Sequence, residues 1–147
     1  MNAGNVLNVN PVDIKPQSIS YMKKVNGSSN LKASWINHEW IDLKSINNGD
    51  WSGSFWKPAE DDREPWIEID LGKAEKISKV VLYESGSNIN SFELQYKVEN
   101  GWKTFHKGTT IGTRSEISVD PIEAQVIRLV FTSFTMAPGI YEIMILD

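Results

Sequence analysis

The sequence predicts an all-β sandwich or barrel on three observations. Short runs that alternate apolar and polar residues recur along the chain. Clusters of Asn, Gly, Ser and Pro separate them. No stretch of roughly ten residues keeps the i, i+3, i+4, i+7 apolar pattern of an amphipathic helix. Many short strands joined by turns remain.

The segment from Met1 to Asn30 is polar and Asn-rich, and Pro11 and Pro16 interrupt it. Within it Ile19-Ser20-Tyr21-Met22 reads as one short strand. Asn26-Gly27-Ser28 reads as a turn that also matches a glycosylation sequon, a match common by chance. Residues 1–29 are therefore taken as an N-terminal linker or edge segment and 30–147 as the domain proper. A strand is predicted over Leu31 to Trp35, a loop over Ile36 to Trp40, and a single helical turn over Ile41 to Ile46. The polar turn Asn47-Asn48-Gly49-Asp50 leads into a loop carrying Trp51, Phe55 and Trp56, then an acidic patch from Glu60 to Glu64.

The run Trp66-Ile67-Glu68-Ile69-Asp70-Leu71-Gly72 suits a half-buried strand with Ile67, Ile69 and Leu71 inward. Ile77 to Tyr83 is β-branched and strand-like, and residues 84–90 are loop by composition. Phe92 to Val98 alternates most clearly. Asn100-Gly101 is a strong hairpin signal returning through Trp102 to Lys107. Further strands are predicted over Glu116 to Val119, Gln125 to Thr132 and Tyr141 to Leu146, with a loop over 133–139.

At 147 residues the chain is one domain, long enough to bury roughly 70% of its unfolded surface. Its composition is 40% hydrophobic and 23% charged, ordinary for a soluble globular protein. A net charge of −4 without any Lys/Arg-rich run argues against nucleic acid and anionic membranes as partners. No apolar run approaches the roughly 18 residues of a membrane span. Cysteine is absent, which excludes disulfides, thiolate metal sites and Cys nucleophiles. The N-terminus lacks the basic start and apolar core of a signal peptide.

Every Trp except Trp102 falls between residues 35 and 66. A sugar offers an apolar C–H face to an aromatic ring, while its hydroxyls need planar or charged partners. Loop Trp residues beside such groups are thus the expected chemistry of a glycan site. The candidates are His38, Glu39 and Trp40, then Trp51 and Arg63, then Glu84 and Asn88, with Met136 in the last loop. Trp40 and Trp51 lead. A lone loop histidine such as His38 is ordinarily just solvated, and Glu60, Asp61, Asp62 and Glu64 read as a solvated face. Catalysis finds no support: the only histidines are His38 and His106, and no nucleophile motif surrounds any Ser. The chain is read as a non-enzyme.

Pro65-Trp66-Ile67-Glu68-Ile69-Asp70-Leu71-Gly72 followed by Ile77-x-x-Val80-x-Leu82 resembles the discoidin family, the coagulation factor V/VIII C-type domains that include family 32 carbohydrate-binding modules. Phe92-Glu93-Leu94-Gln95-Tyr96, Trp102, Val126-Ile127-Arg128-Leu129 and Glu142-Ile143 extend the resemblance over roughly Asn30 to Asp147. The stretch from Trp102 to Gly112 is similar to the C-terminal module of family 29 fucosidases. The resemblance implies a galactose-binding-like, eight-stranded jelly-roll sandwich with its ligand at the loops of one end. Trp56 and Trp66 fall on scaffold positions of the family.

The resemblance also implies a structural calcium, since family members hold one near a D-G-[ND] turn followed by T-x-W. The matching residues are Asn48 and Asp50, then Ser54, with Glu142 as the distal carboxylate. Asn48 replaces the usual Asp, Ser54 replaces Thr, and one extra residue separates the two motifs. Taken without the family, Asn48-Gly49 is merely a turn and Asp50 a solvated tip. Galactose-binding relatives often carry an Arg where this chain has Glu84, so galactose specificity does not carry over. The implied function is a carbohydrate-binding module, acting as a monomeric domain of a secreted, periplasmic or cell-surface bacterial glycosidase and binding terminal sugars of a glycan. The alternative is a protein-interaction or adhesion domain of the same fold. A phospholipid-binding domain, which needs apolar loop tips ringed by basic residues, is disfavoured by the acidic loop.

Overall fold

The computed structural model describes residues 18–31, 43–50 and 53–147. The predicted strand over Leu31 to Trp35 and the loop after it lie almost wholly outside these residues. The strands are β1 (Lys24–Gly27), β2 (Trp66–Glu84), β3 (Ile89–Val98), β4 (Gly101–Gly108), β5 (Ser115–Phe134) and β6 (Ile140–Leu146), and a 3-10 turn spans Leu43–Asn47. All strand pairs are antiparallel. The expected fold class, an all-β jelly-roll sandwich, is what forms.

Its plan follows from two strands that are each longer than one layer. The first half of β2 lies between β1 and the second half of β5, which continues to β3 and β4. The second half of β2 lies between β6 and the first half of β5. Counted by ladder, the described residues thus give eight strand segments in layers of five and three. The sequence reading left residues 73–76 and 120–124 between separate strands, whereas β2 and β5 both run on through bulges. Residues 71–74 stand opposite Gln125 alone, and 119–121 stand opposite Ser78. Such insertions bend a strand and raise its twist, which lets it pass from one layer to the other.

Alternation sorts the side chains as predicted. Ile67, Ile69 and Leu71 are buried with Val80, Leu82, Phe92, Leu94, Ile127, Leu129, Ile143 and Ile145 in one core. Trp56 closes it from above, stacking on Phe131 at 5.8 Å between ring centroids while its backbone bridges Ile140. On the outer face of the five-stranded layer, Arg128 lies between the rings of Trp66 and Trp102, 4.0 and 3.9 Å from their centroids. Its guanidinium also donates to Glu68 Oε2, from Nε at 3.1 Å and from Nη2 at 2.9 Å. The scaffold role expected of Trp66 is met on the outside of the sheet, where a partly desolvated cation–π pair contributes on the order of 1 kcal/mol.

Two local expectations are corrected. Residues 19–22 form turns, not a strand, because the Ser18 and Ser20 side chains take up the backbone groups a ladder would use. Tyr21 N–H donates to Ser18 O at 3.3 Å, and Ser20 Oγ donates to Ile143 O at 3.2 Å. Asn26-Gly27 lies inside β1, paired with Glu68 and Ile67, and is not a turn.

Two carboxylates hold irregular backbone in place. Asp62 Oδ2 accepts the hydroxyls of Ser28 and Ser29 at 2.5 and 2.6 Å, and its Oδ1 accepts Glu64 N–H at 3.1 Å. Burial alone would raise the Asp62 pKa, but these bonds outweigh it and lower it. Asp70 Oδ1 accepts Gln125 Nε2 at 3.0 Å and Gly72 N–H at 2.8 Å, pinning the first bulge, and these bonds lower its pKa. A lowered carboxylate pKa adds stability that is complete above the unfolded value. It is lost as pH falls through the folded value. Urea unfolding should therefore show stability falling below about pH 4. Asp62→Asn should lower stability at pH 7 by about 1 kcal/mol and flatten that fall; an unchanged pH profile would refute the assignment.

Candidate functional site

The loops joining the strand ends at Glu84, Gly108 and Phe134 are stitched together at one end of the sandwich. Glu84 closes β2 and is only 3% exposed. Its Oε2 accepts Asn88 N–H at 2.7 Å and its Oε1 accepts Gly112 N–H at 2.9 Å. Asn88 Nδ2 and Lys57 Nζ both donate to Ala137 O, at 3.5 and 3.2 Å. Ser85 N–H donates to Gly139 O and Thr135 N–H to Asn88 O, each at 2.8 Å. Gly139 packs closely here, since a Cβ would lie 3.2 Å from Ser85 Cβ and in ordinary contact, 3.5 Å, with the Lys57 side chain.

Two candidates of the sequence reading, Glu84 and Asn88, are thus brought together, but in different roles. The Glu84 carboxylate is 3% exposed and joins two loops through the Asn88 and Gly112 amides. Asn88 remains half-buried at the rim. Arg63 is exposed on the 59–64 turn, which is fastened to Ser28 and Ser29 and not to the Glu84 cluster. Met136 stands 66% exposed at a loop tip. His38, Glu39, Trp40 and Trp51 lie outside the described residues.

Sequence reading missed Lys57. Burial lowers its pKa, and the negative charge of Glu84 opposes that shift. The Trp56–Ile140 bridge brings Lys57 to this end, and nothing local in the sequence marks it.

Of the residues matched to the calcium motif, Glu142 reaches the turn that carries Asn48 and Asp50. Glu142, 2% exposed on β6, accepts Gly49 N–H at 3.0 Å through Oε2. Asn48 Oδ1 accepts Asp50 N–H at 3.0 Å, and Asp50 Oδ1 accepts Gly53 N–H at 3.2 Å. Gly49 has φ 85°, which favours glycine. The donors present are two carboxylates, an amide and the Ser54 hydroxyl. All are oxygens, which suits calcium and not zinc. Among the described residues no group of three or more His, Cys, Asp or Glu converges to hold a metal. A bound calcium would therefore need carbonyl or water oxygens as well. Among the described residues no helix is long and apolar enough to cross a membrane.

Residues 24–144 match the family model described as the F5/8 type C domain. Chitosan-binding module 2 of a chitosanase/glucanase from Paenibacillus sp. IK-5, solved with chitotriose, superposes with a TM-score of 0.76 at 20% identity, over 88% of this chain and 99% of that one. CpGH89CBM32-5 from Clostridium perfringens, solved with GalNAc-β-1,3-galactose, gives 0.71 at 16% identity over 84% and 94%. A Ruminococcus gnavus GH29 fucosidase in complex with fucose gives 0.76 at 21% identity over 92% of this chain. This chain spans 28% of the length of that fucosidase and 28% of SpGH29, which it also matches. At these identities the likeness is one of fold. Among curated proteins the sequence finds no match.

The geometry makes Glu84 a staple between loops. Glu84→Ala should cost about 3 kcal/mol in urea unfolding, since it strands two buried N–H donors. It should also speed hydrogen exchange at the Asn88 and Gly112 amides. A change under about 0.5 kcal/mol would place the side chain outside the fold's support.

Proposed function

The chain belongs to the F5/8 type C domain family, and from that premise we propose that it is a non-catalytic carbohydrate-binding module of a longer, secreted glycoside hydrolase. The observation that carries this reading is the fold shared over nearly all of the chain with modules solved on chitotriose and on GalNAc-β-1,3-galactose. The GH29 fucosidase match supports the parent, because this chain corresponds to about a quarter of such a protein. The ligand site comprises the loops around Asn88 together with Trp40 and Trp51. A terminal sugar stacks its C–H face on a Trp ring and bonds to His38, Glu39 and Asn88 through its hydroxyls. The loop staple at Glu84 fixes the rim before the sugar arrives, which lowers the ordering cost of binding. Tethering raises the effective concentration of glycan at the parent's active site. No general base beside a nucleophile is needed.

A glycan array followed by Trp-fluorescence titration tests this. Terminal galactosides, fucosides and amino sugars form the panel. At least one should bind, and Trp40→Ala or Trp51→Ala should weaken it by about tenfold or more. Failure of the whole panel would favour a protein-interaction domain.

The same reading includes a structural calcium held by Asn48, Asp50, Ser54 and Glu142. It fastens the turn to β6 and takes no part in chemistry. Calcium at a hundredfold over Kd should raise Tm by roughly 5–10 °C, and Glu142→Gln should abolish that rise. An unchanged Tm with excess chelator, together with no metal by elemental analysis, would defeat it.

A further inference from the structure

A second opening lies on the flank of the sandwich. The five-stranded layer ends at β4, and the three-stranded layer ends at the first half of β5. Both ends fall on the same side, so the two layers gape there. The gap holds a cleft of about 370 Å³, within the roughly 300–1,000 Å³ of small-molecule sites. Phe92 and Ile117, both buried, form its floor. His106 and Gly108 of β4 form one wall, and residues 109–110 and 115–116 close the rest. The lining includes none of Lys57, Glu84, Asn88 and Gly112.

The cleft is shaped before any ligand arrives. Glycine at 108 lets β4 pass directly over Phe92, since a Cβ there would overlap the ring. On the other side Ser115 Oγ donates to Ile111 O at 2.6 Å, Ile111 is buried in the core, and Glu84 holds Gly112 N–H. The charges at the rim are already balanced. Glu116 pairs with Lys79 and Arg114 at 3.0 and 2.9 Å, and Lys107 stands opposite Glu93 in the ladder. The uncharged polar groups are not engaged in this way: among the described residues no hydrogen bond reaches the His106 ring nitrogens or the Thr109 and Thr110 hydroxyls. The His106 ring stands 6.0 Å from that of Phe92, and burial lowers its pKa. The imidazole is therefore neutral at pH 7, with one N–H donor and one acceptor nitrogen.

We propose that this cleft between the layers is a second binding site, taking one uncharged pyranose unit of a glycan. His106, Thr109 and Thr110 each donate and accept, and so does every sugar hydroxyl. A carboxylate only accepts and an ammonium only donates, so either matches half of what these groups offer. Either would also compete for the pairs at Glu116 and Glu93. The floor at Phe92 and Ile117 is apolar, as the C–H side of a sugar ring requires. A peptide strand added to the β4 edge fits less well. Pairing skips from Leu94↔His106 to Gln95↔Thr104, and the bulge at Phe105 bends the edge such a strand would follow. This inference goes beyond the loop-end reading: it needs none of Trp40, Trp51 and Asn88, and it stands if that reading fails.

The test is NMR titration of the whole labelled chain with glucose, galactose and N-acetylglucosamine, and with glucuronate and glucosamine as charged counterparts. At least one neutral sugar should shift the His106 ring signals and the 108–110 amides saturably, with Kd on the order of 1–10 mM for a ligand of about twelve heavy atoms. The charged counterparts should bind there about fivefold more weakly. His106→Phe keeps a ring against Phe92 and removes both nitrogens. It should weaken binding about tenfold with Tm within about 4 °C of the parent. The exposed pair Thr109→Val/Thr110→Val should weaken it about threefold or more. Trp51→Ala should leave the cleft shifts unchanged, which separates this site from the loop-end one. The proposal is overturned if no neutral sugar shifts these signals, or if the shifts vanish in Trp51→Ala. It is equally overturned if both cleft variants bind as the parent does, or if a charged counterpart binds as tightly as its neutral sugar.

Discussion

The fold depends on the antiparallel ladder between β2 and β5. Each strand is too long for one layer, and the two stay paired from Trp66↔Val130 to Leu82↔Ser115 while both pass through the crossover. Because they bend together, the layers they form cannot separate without breaking the ladder that joins them. The other strands attach to one half or the other: β1 and β3 to the first layer, β6 to the second. The bulge that permits the bend sits at Gly72, with φ 90°, and Asp70 holds it through Gly72 N–H and the Gln125 amide. A loose bulge would let the register slip by one residue and send Ile67 and Ile69 to solvent. The pin at Asp70 therefore protects the core it is not part of.

Apolar burial fixes which face of each strand turns inward, but it does little for the chain between strands. There the buried polar side chains take over. Ser18, Ser20, Ser45, Asn47, Glu84 and Glu142 are all buried, and those with bonds described above reach partners far along the chain. A loop has few apolar side chains to bury and many backbone groups to satisfy. A carboxylate or amide that accepts or donates to two loops at once satisfies both and sets their spacing. The Trp66–Arg128–Trp102 stack does comparable work on the outer face, where Glu68 keeps the guanidinium in place.

The same division explains what could be read from the sequence. Ile67-x-Ile69-x-Leu71 and Phe92-x-Leu94 announce their inward faces by a period of two, and burial confirms each. The motif residues at Asn48, Asp50 and Glu142 could be matched by family pattern because a turn signal and a strand start mark them. That Glu142 reaches this turn at Gly49 N–H is a fact of the fold. What local pattern could not give is any role set by contact across the chain. Glu84 reads as a loop-end acid fit for ligand contact, yet Gly112, 28 residues on, turns it into a staple. Lys57 has no pattern around it, and its place beside Ala137, 80 residues later, follows from the Trp56–Ile140 bridge. Ser20 sits in an apparent strand run, and its bonds to β6 decide that it lies in a turn.

Conformational strain and buried polarity coincide at Met22 and Asn47, and this is not accidental. A positive φ at a residue with a Cβ, such as the 58° of Met22, persists only where surrounding bonds over-determine the backbone. The three bonds between Asn47 and the 20–23 segment do that. They leave Met22 66% exposed, a placement that core packing does not require. Buried polarity likewise sets the backbone at the Glu84 end, where one carboxylate fixes the loops at Asn88 and Gly112.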